Sequence, residues 1–167
     1  MQSTAAIEVK ADFSADDPEN PMNWKPGKKW AALILISIIT FITPLASSMF
    51  APGIEFVEND LDFHSTVTGG LVVSIYILGY AVAPLVIAPL SEIYGRSPVY
   101  HVTNILYVIF TVACALSKNV GMLIAFRFLA GSMGSTPLVL GGGSIADTTP
   151  PAQRAGIMSL WAMGPLL

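Results

Sequence analysis

Long apolar runs separated by short polar segments make up most of this chain. Residues 30–54, 65–91 and 97–117 provide 25, 27 and 21 consecutive positions without a formal charge. Residues 119–146 carry one charge in 28 positions, and a fifth run covers the 13 positions 155–167. Because a helix needs about 20 mainly apolar residues to cross the hydrocarbon core, the pattern predicts four complete transmembrane helices and part of a fifth.

The periodicity of these runs favours helices throughout. The runs do not alternate apolar and polar residues with a period of two, as the strands of a membrane barrel do. They also lack the polar face that each helix of a soluble bundle shows. We therefore predict an all-α membrane protein. A partial transmembrane bundle is expected over residues 30–167, with spans at about 30–50, 69–90, 98–116, 121–145 and, incomplete, 155–167.

The composition agrees with a membrane protein and argues against several other classes. Charged residues make up 11% of the chain and apolar residues 53%, whereas a soluble domain carries about 25% charge. The single cysteine, Cys114, excludes a disulfide within the chain. The few Lys and Arg residues form no basic stripe for nucleic acid. His101 and Cys114 lack a paired acid or a metal-ligand spacing, so we expect no enzyme activity, metal or cofactor.

The distribution of Lys and Arg predicts the orientation in the bilayer. Residues 1–29 are polar and rich in Asp, Asn and Pro, which is typical of a disordered tail, and they lack the apolar centre of a signal peptide. Lys25, Lys28 and Lys29 precede the first span, whereas the acidic first loop, EFVENDLDFH, has no Lys or Arg. Because basic residues collect on the cytoplasmic side, we expect a multi-pass protein with a cytoplasmic N-terminus.

Local signals predict where helices begin and bend. Ser97, followed by a proline, is a candidate N-cap of the third span, and Asn119 is a candidate N-cap of the fourth. Proline removes a backbone donor and bends a helix. Bends are therefore expected at Pro44 in the first span, Pro84 in the second and Pro137 in the fourth.

Arg127 is a charge within the fourth span. A charge near a helix centre costs roughly 2.5–3.5 kcal/mol on insertion scales, and Arg127 is about the sixth residue of its span. It could reach the membrane surface as a lipid-facing anchor. The surrounding sequence, RFLAGSMGSTPLVLGGGSIAD, instead favours close helix packing through small residues. An arginine facing the protein interior or a wet cavity is therefore the preferred interpretation.

The loop between the second and third spans resembles a family signature. The segment APLSEIYGRSP is similar to the pattern G-x-L-a-D-r-x-G-r-k of the major facilitator superfamily. Leu90, Gly95 and Arg96 match this pattern, and the departures are Ala88, Glu92 and Ser97. These departures resemble the variant in fungal drug:proton antiporters of the twelve-helix type.

Four further segments resemble the same group, and together the resemblance covers residues 16–167. They are DDPENPMNWKPGKKW, RFLAGSMGS, GGGSIADTTPPAQRAG and the final MGPLL. The resemblance implies that the chain contains the first four transmembrane helices, and part of the fifth, of a six-helix bundle. It also implies a second bundle, the C-terminal half of the transporter, as the missing partner.

The resemblance assigns roles to particular residues. It implies that Glu92, Gly95, Arg96 and Asp147 form a cytoplasmic gate, which holds the two halves together and breaks as the protein rocks. It implies that Arg127 and Gly131, which match an R-x-x-x-G motif, take part in proton coupling. Gly164 and Pro165 resemble the start of the antiporter motif. From their positions in the spans, we also expect a set of cavity-lining residues: Thr40, Thr43, Ser47, Tyr76 and Tyr80.

The resemblance implies a transporter of the plasma membrane that exports hydrophobic or cationic small organic molecules in exchange for protons, by alternating access. Residues 1–167 alone are expected to be inactive, because half of the substrate cavity is absent. One alternative is a multi-span membrane adaptor or assembly subunit without transport activity. Another is a membrane-embedded enzyme, which would need a catalytic constellation within the spans.

Overall fold

Every regular element that the structure describes is helical. A computed structural model describes residues 24–61 and 65–166 of the chain. Its helices are α1 (Pro26–Ser48), α2 (Ile54–Asp60), α3 (Thr66–Val82), α4 (Pro84–Tyr94), α5 (Arg96–Ala115), α6 (Val120–Gly134), α7 (Thr136–Thr148) and α8 (Pro151–Leu166), with a 3-10 turn at Ala51–Gly53. The all-α prediction is confirmed.

Four helical stretches are long and apolar enough to cross a membrane. They are Pro26–Asp60, Val67–Tyr94, Arg96–Ala115 and Val120–Thr148. The second consists of α3 and α4, and the fourth consists of α6 and α7. Many large apolar side chains on their outer faces are exposed, such as those of α5, because a bilayer rather than water surrounds these faces.

The fourth span lies at the centre of the bundle. In an apolar stretch of 18 residues within this span, 56% of the residues are buried, against 11% to 28% in the corresponding stretches of the other three spans. Its first half, α6, packs against α3 and α5, and its second half, α7, packs against α1 and α4. The glycine-rich sequence of this span allows that arrangement, because small residues let several helices approach one backbone.

The backbones of α3 and α6 are in direct contact. A Cβ atom at Gly79 would overlap the carbonyl oxygen of Phe128, and one at Gly131 would overlap the carbonyl oxygen of Tyr76. Each helix thus presents a glycine to the main chain of the other. In hydrocarbon this close packing, rather than exclusion of water, is what holds helices together.

Prolines interrupt two of the spans. The second span is divided between Val82 and Pro84, and the fourth between Gly134 and Thr136. Pro137 has no N–H to donate to the carbonyl of Met133 four residues earlier. The Thr136 hydroxyl donates to that carbonyl instead, at 2.9 Å, so the break leaves it with a partner within the bilayer. Pro44, by contrast, lies inside an uninterrupted α1.

Some helix boundaries differ from those expected. The expected tail ends at residue 29, but α1 begins at Pro26, because proline fits the first turn of a helix; residues 1–23 lie outside the described part. Ser97 is not the N-cap of α5, which starts one residue before it because Gly95 makes the turn. The N-cap at Asn119 is confirmed, since its side chain accepts a hydrogen bond from the Met122 N–H at 2.8 Å.

Replacing Gly79 with alanine tests the contact between α3 and α6. We expect Gly79→Ala to lower the free energy of unfolding by roughly 1–3 kcal/mol, because the added methyl group would force two backbones apart. Gly70→Ala is the matched control on the same helix, since nothing lies within 4 Å of its added Cβ. Thermal unfolding of the purified protein in detergent provides the measurement. Equal stability of the two variants would contradict the contact.

Candidate functional site

The turn between α4 and α5 requires a glycine. Gly95 has φ 86° and ψ 158°, a conformation that is essentially restricted to glycine. Among the described residues, Gly95 is the one glycine that has a positive φ angle. Gly95 is both the C-cap of α4 and the N-cap of α5, so Arg96 is the first residue of α5. The predicted importance of Gly95 therefore has a local structural reason.

Arg96 reaches from α5 to α7. Its Nε lies 3.0 Å from Oδ2 of Asp147, and these side chains are 39% and 51% exposed. Its Nη1 also lies 3.4 Å from the carbonyl oxygen of Leu140, which is a long and weak hydrogen bond. Because the ion pair is half exposed, its contribution to stability is about 0–1 kcal/mol.

Gly143 makes room for this ion pair. A Cβ atom at Gly143 would overlap the guanidinium of Arg96, so the arginine crosses α7 over a position without a side chain. Sequence reasoning assigned Gly143 only to general helix packing. The one signal was the run of three glycines, Gly141–Gly143, and it does not indicate which of them faces an arginine.

Glu92 lies apart from the Arg96–Asp147 pair. Its side chain is exposed in the last turn of α4, and among the described residues it forms no ion pair. The structure therefore brings together two of the three charged residues predicted for this cluster. Glu92 remains a predicted gate residue on the same membrane face.

Arg127 is buried without a charged partner among the described residues. Only 5% of its surface is exposed, and its Nε and Nη2 atoms have no hydrogen-bond partner there. Its guanidinium lies over the ring of Phe50, 3.8 Å from the ring centroid, and 5.4 Å from the centroid of Tyr76. Phe50 was not predicted as a site residue, since an aromatic residue in an apolar run does not reveal what it faces.

These ring contacts offset only part of the cost of burying the charge. A desolvated cation–π contact is worth about 2 kcal/mol, whereas the burial of an unpaired charge costs several kcal/mol. The burial of Arg127 is therefore not fully compensated by the groups that the structure describes around it.

A cavity of about 360 Å³ adjoins Arg127. It lies at the membrane face opposite the Arg96–Asp147 pair, where α1 and α5 end and α6 begins. Its wall includes aromatic, polar and charged side chains, among them Phe50, Asp60, Tyr76, Tyr107, Cys114 and Arg127. Asp60, at the end of α2, is exposed. Among the described cavity-lining residues, Arg127 and Asp60 are the two that carry a formal charge at neutral pH.

The spacing of Arg127 and Gly131 places both on one face of α6. Gly131 contacts the main chain of Tyr76, and the ring of Tyr76 then lies beside Arg127. The hydroxyl of Tyr76 donates to the carbonyl of Thr43 on α1 at 2.9 Å. Gly131 thus positions the tyrosine that contacts the arginine.

The five predicted cavity-lining residues fall into two groups. Tyr76 lines the cavity beside Arg127 as well as a smaller one of about 240 Å³ between α1 and α3, which Ser47 and Tyr80 also line. Thr40 and Thr43 are fully buried and line neither cavity.

Thr40 holds α8 against α1. Its hydroxyl accepts a hydrogen bond from the Trp161 indole N–H at 3.1 Å, and the indole ring rests against Gly141 of α7. Sequence reasoning did not identify Trp161. Gly164 and Pro165 lie in the last turn of the same helix, and the side chain of Pro165 falls outside the described part.

The chain matches known transport proteins. The family model described as Major Facilitator Superfamily matches residues 36–166. The chain is 59% identical over 152 residues to the efflux pump radE of Floropilus chiversii, covering 91% of this chain and 28% of that protein. It is 56% identical to the MFS-type transporter penM of Penicillium rubens, with 91% and 30% covered. It is 50% identical to the MFS-type transporter tndD of Aspergillus flavipes, with 91% and 28% covered.

The chain thus spans about three tenths of the length of these curated relatives. No solved structure matches it significantly.

The close packing of the Arg96 side chain on Gly143 can be tested with one substitution, made in the presence of Arg96 and again in its absence. We expect Gly143→Ala to lower the free energy of unfolding by at most about 1 kcal/mol, because the new methyl group overlaps the guanidinium of Arg96, which would move aside and lose its exposed ion pair. In an Arg96→Ala background the same substitution should cost almost nothing, since the overlapping group is gone. Gly142→Ala is the control, with nothing within 4 Å of its Cβ. Equal costs in both backgrounds, measured by thermal unfolding in detergent, would rule out this packing.

Proposed function

Because this chain belongs to the major facilitator superfamily, we propose that it forms the N-terminal part of a proton-coupled transporter that exports small organic molecules by alternating access. It is a multi-pass membrane protein of a transporter family. Export is supported by the 59% identity to a protein named as an efflux pump. An adaptor or assembly subunit without transport activity has no comparable support, because the family match covers residues 36–166.

The Arg96–Asp147 pair carries the proposal of alternating access. The pair joins α5 to α7 at 3.0 Å and is half exposed, so breaking it costs about 1 kcal/mol or less. A contact of this strength can form and break in every transport cycle at little cost. With Glu92 and Gly95 it would form the gate at the cytoplasmic face, where the second bundle docks.

The proposed orientation places the N-terminus in the cytoplasm, and the proposed location is the plasma membrane. Lys25, Lys28 and Lys29 support this orientation, since they lie at the start of α1. Arg96 and Arg154 lie on the same face by topology, because an even number of spans separates them from the N-terminus. The cavity beside Arg127 then opens toward the outside.

Arg127 and Gly131 are the proposed elements of proton coupling. Arginine does not give up its proton in proteins, so Arg127 would act on the charge of a neighbouring group. Among the described residues no acid pairs with it. Because the four spans carry no acid at mid-depth, we place the proton-carrying acid in the remainder of the transporter, which also completes the substrate cavity.

The full-length transporter with Arg127→Ala tests this role. We expect export to lose its dependence on the proton gradient and to slow by about tenfold or more, which corresponds to at least ~1.4 kcal/mol in the barrier. Efflux of neutral, cationic and anionic dyes from vesicles, with and without a pH gradient, provides the measurement. Lys118→Ala is the matched control, since Lys118 is an exposed cation near the same membrane face. Unchanged pH dependence in Arg127→Ala would show that Arg127 takes no part in proton coupling.

Residues 1–167 alone should not transport. Half of a shared cavity cannot enclose a substrate, and a single bundle has no partner to rock against. In proton-loaded vesicles that contain this chain, dye efflux should equal that of empty vesicles, while vesicles with the full-length transporter show faster efflux. Efflux by the 167-residue chain above the empty-vesicle rate would overturn the two-bundle mechanism.

A further inference from the structure

The cavity beside Arg127 combines a buried cation with aromatic walls. Only 5% of the surface of Arg127 is exposed. Within residues 24–61 and 65–166 it has ring contacts but no hydrogen bond or ion pair. The carboxylate that shares the cavity wall is that of Asp60, which is exposed at the surface end. Solvent screens that acid, so the buried part of the cavity is electrostatically positive.

The chemistry of this wall favours one kind of ligand. A guanidinium recognises carboxylates by charge-assisted hydrogen bonds, and it is least solvated where aromatic rings enclose it. Phe50, Tyr76 and Tyr107 line the same space, and such rings pack against a planar aromatic ligand. A volume of about 360 Å³ lies within the usual range for small-molecule pockets.

We propose that this cavity binds an aromatic carboxylate, with the carboxylate against Arg127 and the aromatic ring against the wall to which Tyr76 and Tyr107 contribute. The proposal rests on the proposed transport function and specifies its substrate class. It departs from the expectation of a cationic substrate, because a cation beside Arg127 would lie against a buried positive charge, whereas the carboxylate among the described lining residues, that of Asp60, is exposed.

Cys114 allows the binding to be measured directly. It lies on the same cavity wall as Arg127 and is the one cysteine of the chain. In the full-length protein, with all cysteines outside residues 1–167 replaced by serine, N-ethylmaleimide then reports on Cys114. A bound ligand in the cavity should slow its modification. No proton gradient or transport is needed, so the outcome does not depend on whether the protein exports anything.

The probes are 2-naphthoate and its neutral counterpart 2-naphthamide, which have the same ring system. We expect 2-naphthoate to protect Cys114 at a concentration about 10- to 100-fold lower than 2-naphthamide does, the ratio expected from a hydrogen bond to a charged group. Arg127→Met should abolish the difference, and Arg127→Lys should retain part of it. Lys118→Met, which removes an exposed cation near the same face, should leave the protection unchanged.

Three results would overturn the proposal. One is equal protection by the acid and the amide in the unsubstituted protein, a comparison that does not depend on any variant folding. Another is undiminished protection by the acid in Arg127→Met. The third is equal protection by sodium chloride or sodium phosphate, which would identify a site for small inorganic anions. Protection without dye efflux would reject the proposed function while supporting the binding site.

Discussion

The direct contact between the backbones of α3 and α6 determines the geometry of this bundle. Apolar side chains gain nothing by leaving lipid for one another, so membrane helices associate by close packing. Gly79 and Gly131 allow the two main chains to touch. That contact sets the height of Tyr76 relative to α6, and the ring of Tyr76 therefore lies beside Arg127. The four-residue spacing of Arg127 and Gly131 has a physical reason. Gly131 allows α3 to approach α6, and Arg127, about one turn away on the same face, lies beside the ring of Tyr76 on α3.

The two arginines of the site illustrate opposite ways to place a charge in a membrane protein. Arg96 lies at a face of the bilayer with an acidic partner, and water screens both groups. Forming or breaking this ion pair changes the free energy by about 1 kcal/mol or less. Arg127 lies within the bundle and has ring contacts, but no hydrogen-bond or ion-pair partner, in the described part. The ring contacts offset only part of the cost of burying this charge.

Prolines and glycines give the fourth span its central position. The helix is divided at Ser135 into α6 and α7, and the hydroxyl of Thr136 provides the bond that Pro137 cannot make. The two halves can then contact different neighbours. The buried arginine is on α6, and Asp147 and Gly143 are on α7, so one span links the cavity at one face to the charged pair at the other.

Length, hydropathy and local chemistry were enough to predict the number of spans, the all-α class and the cap at Asn119, because each depends on a short stretch of chain. The resemblance in the loop around Gly95 identified the family for the same reason. Contacts between distant residues could not be predicted in this way. Glu92 and Asp147 are both acids on the same membrane face, yet Arg96 pairs with Asp147. The rotation and crossing of α5 and α7 decide that choice, and these depend on packing throughout the bundle. Phe50 over Arg127, Gly143 beneath Arg96 and Trp161 bonded to Thr40 follow from the same packing. An apolar run shows that its residues avoid water, but only the tertiary structure decides which neighbour each of them meets.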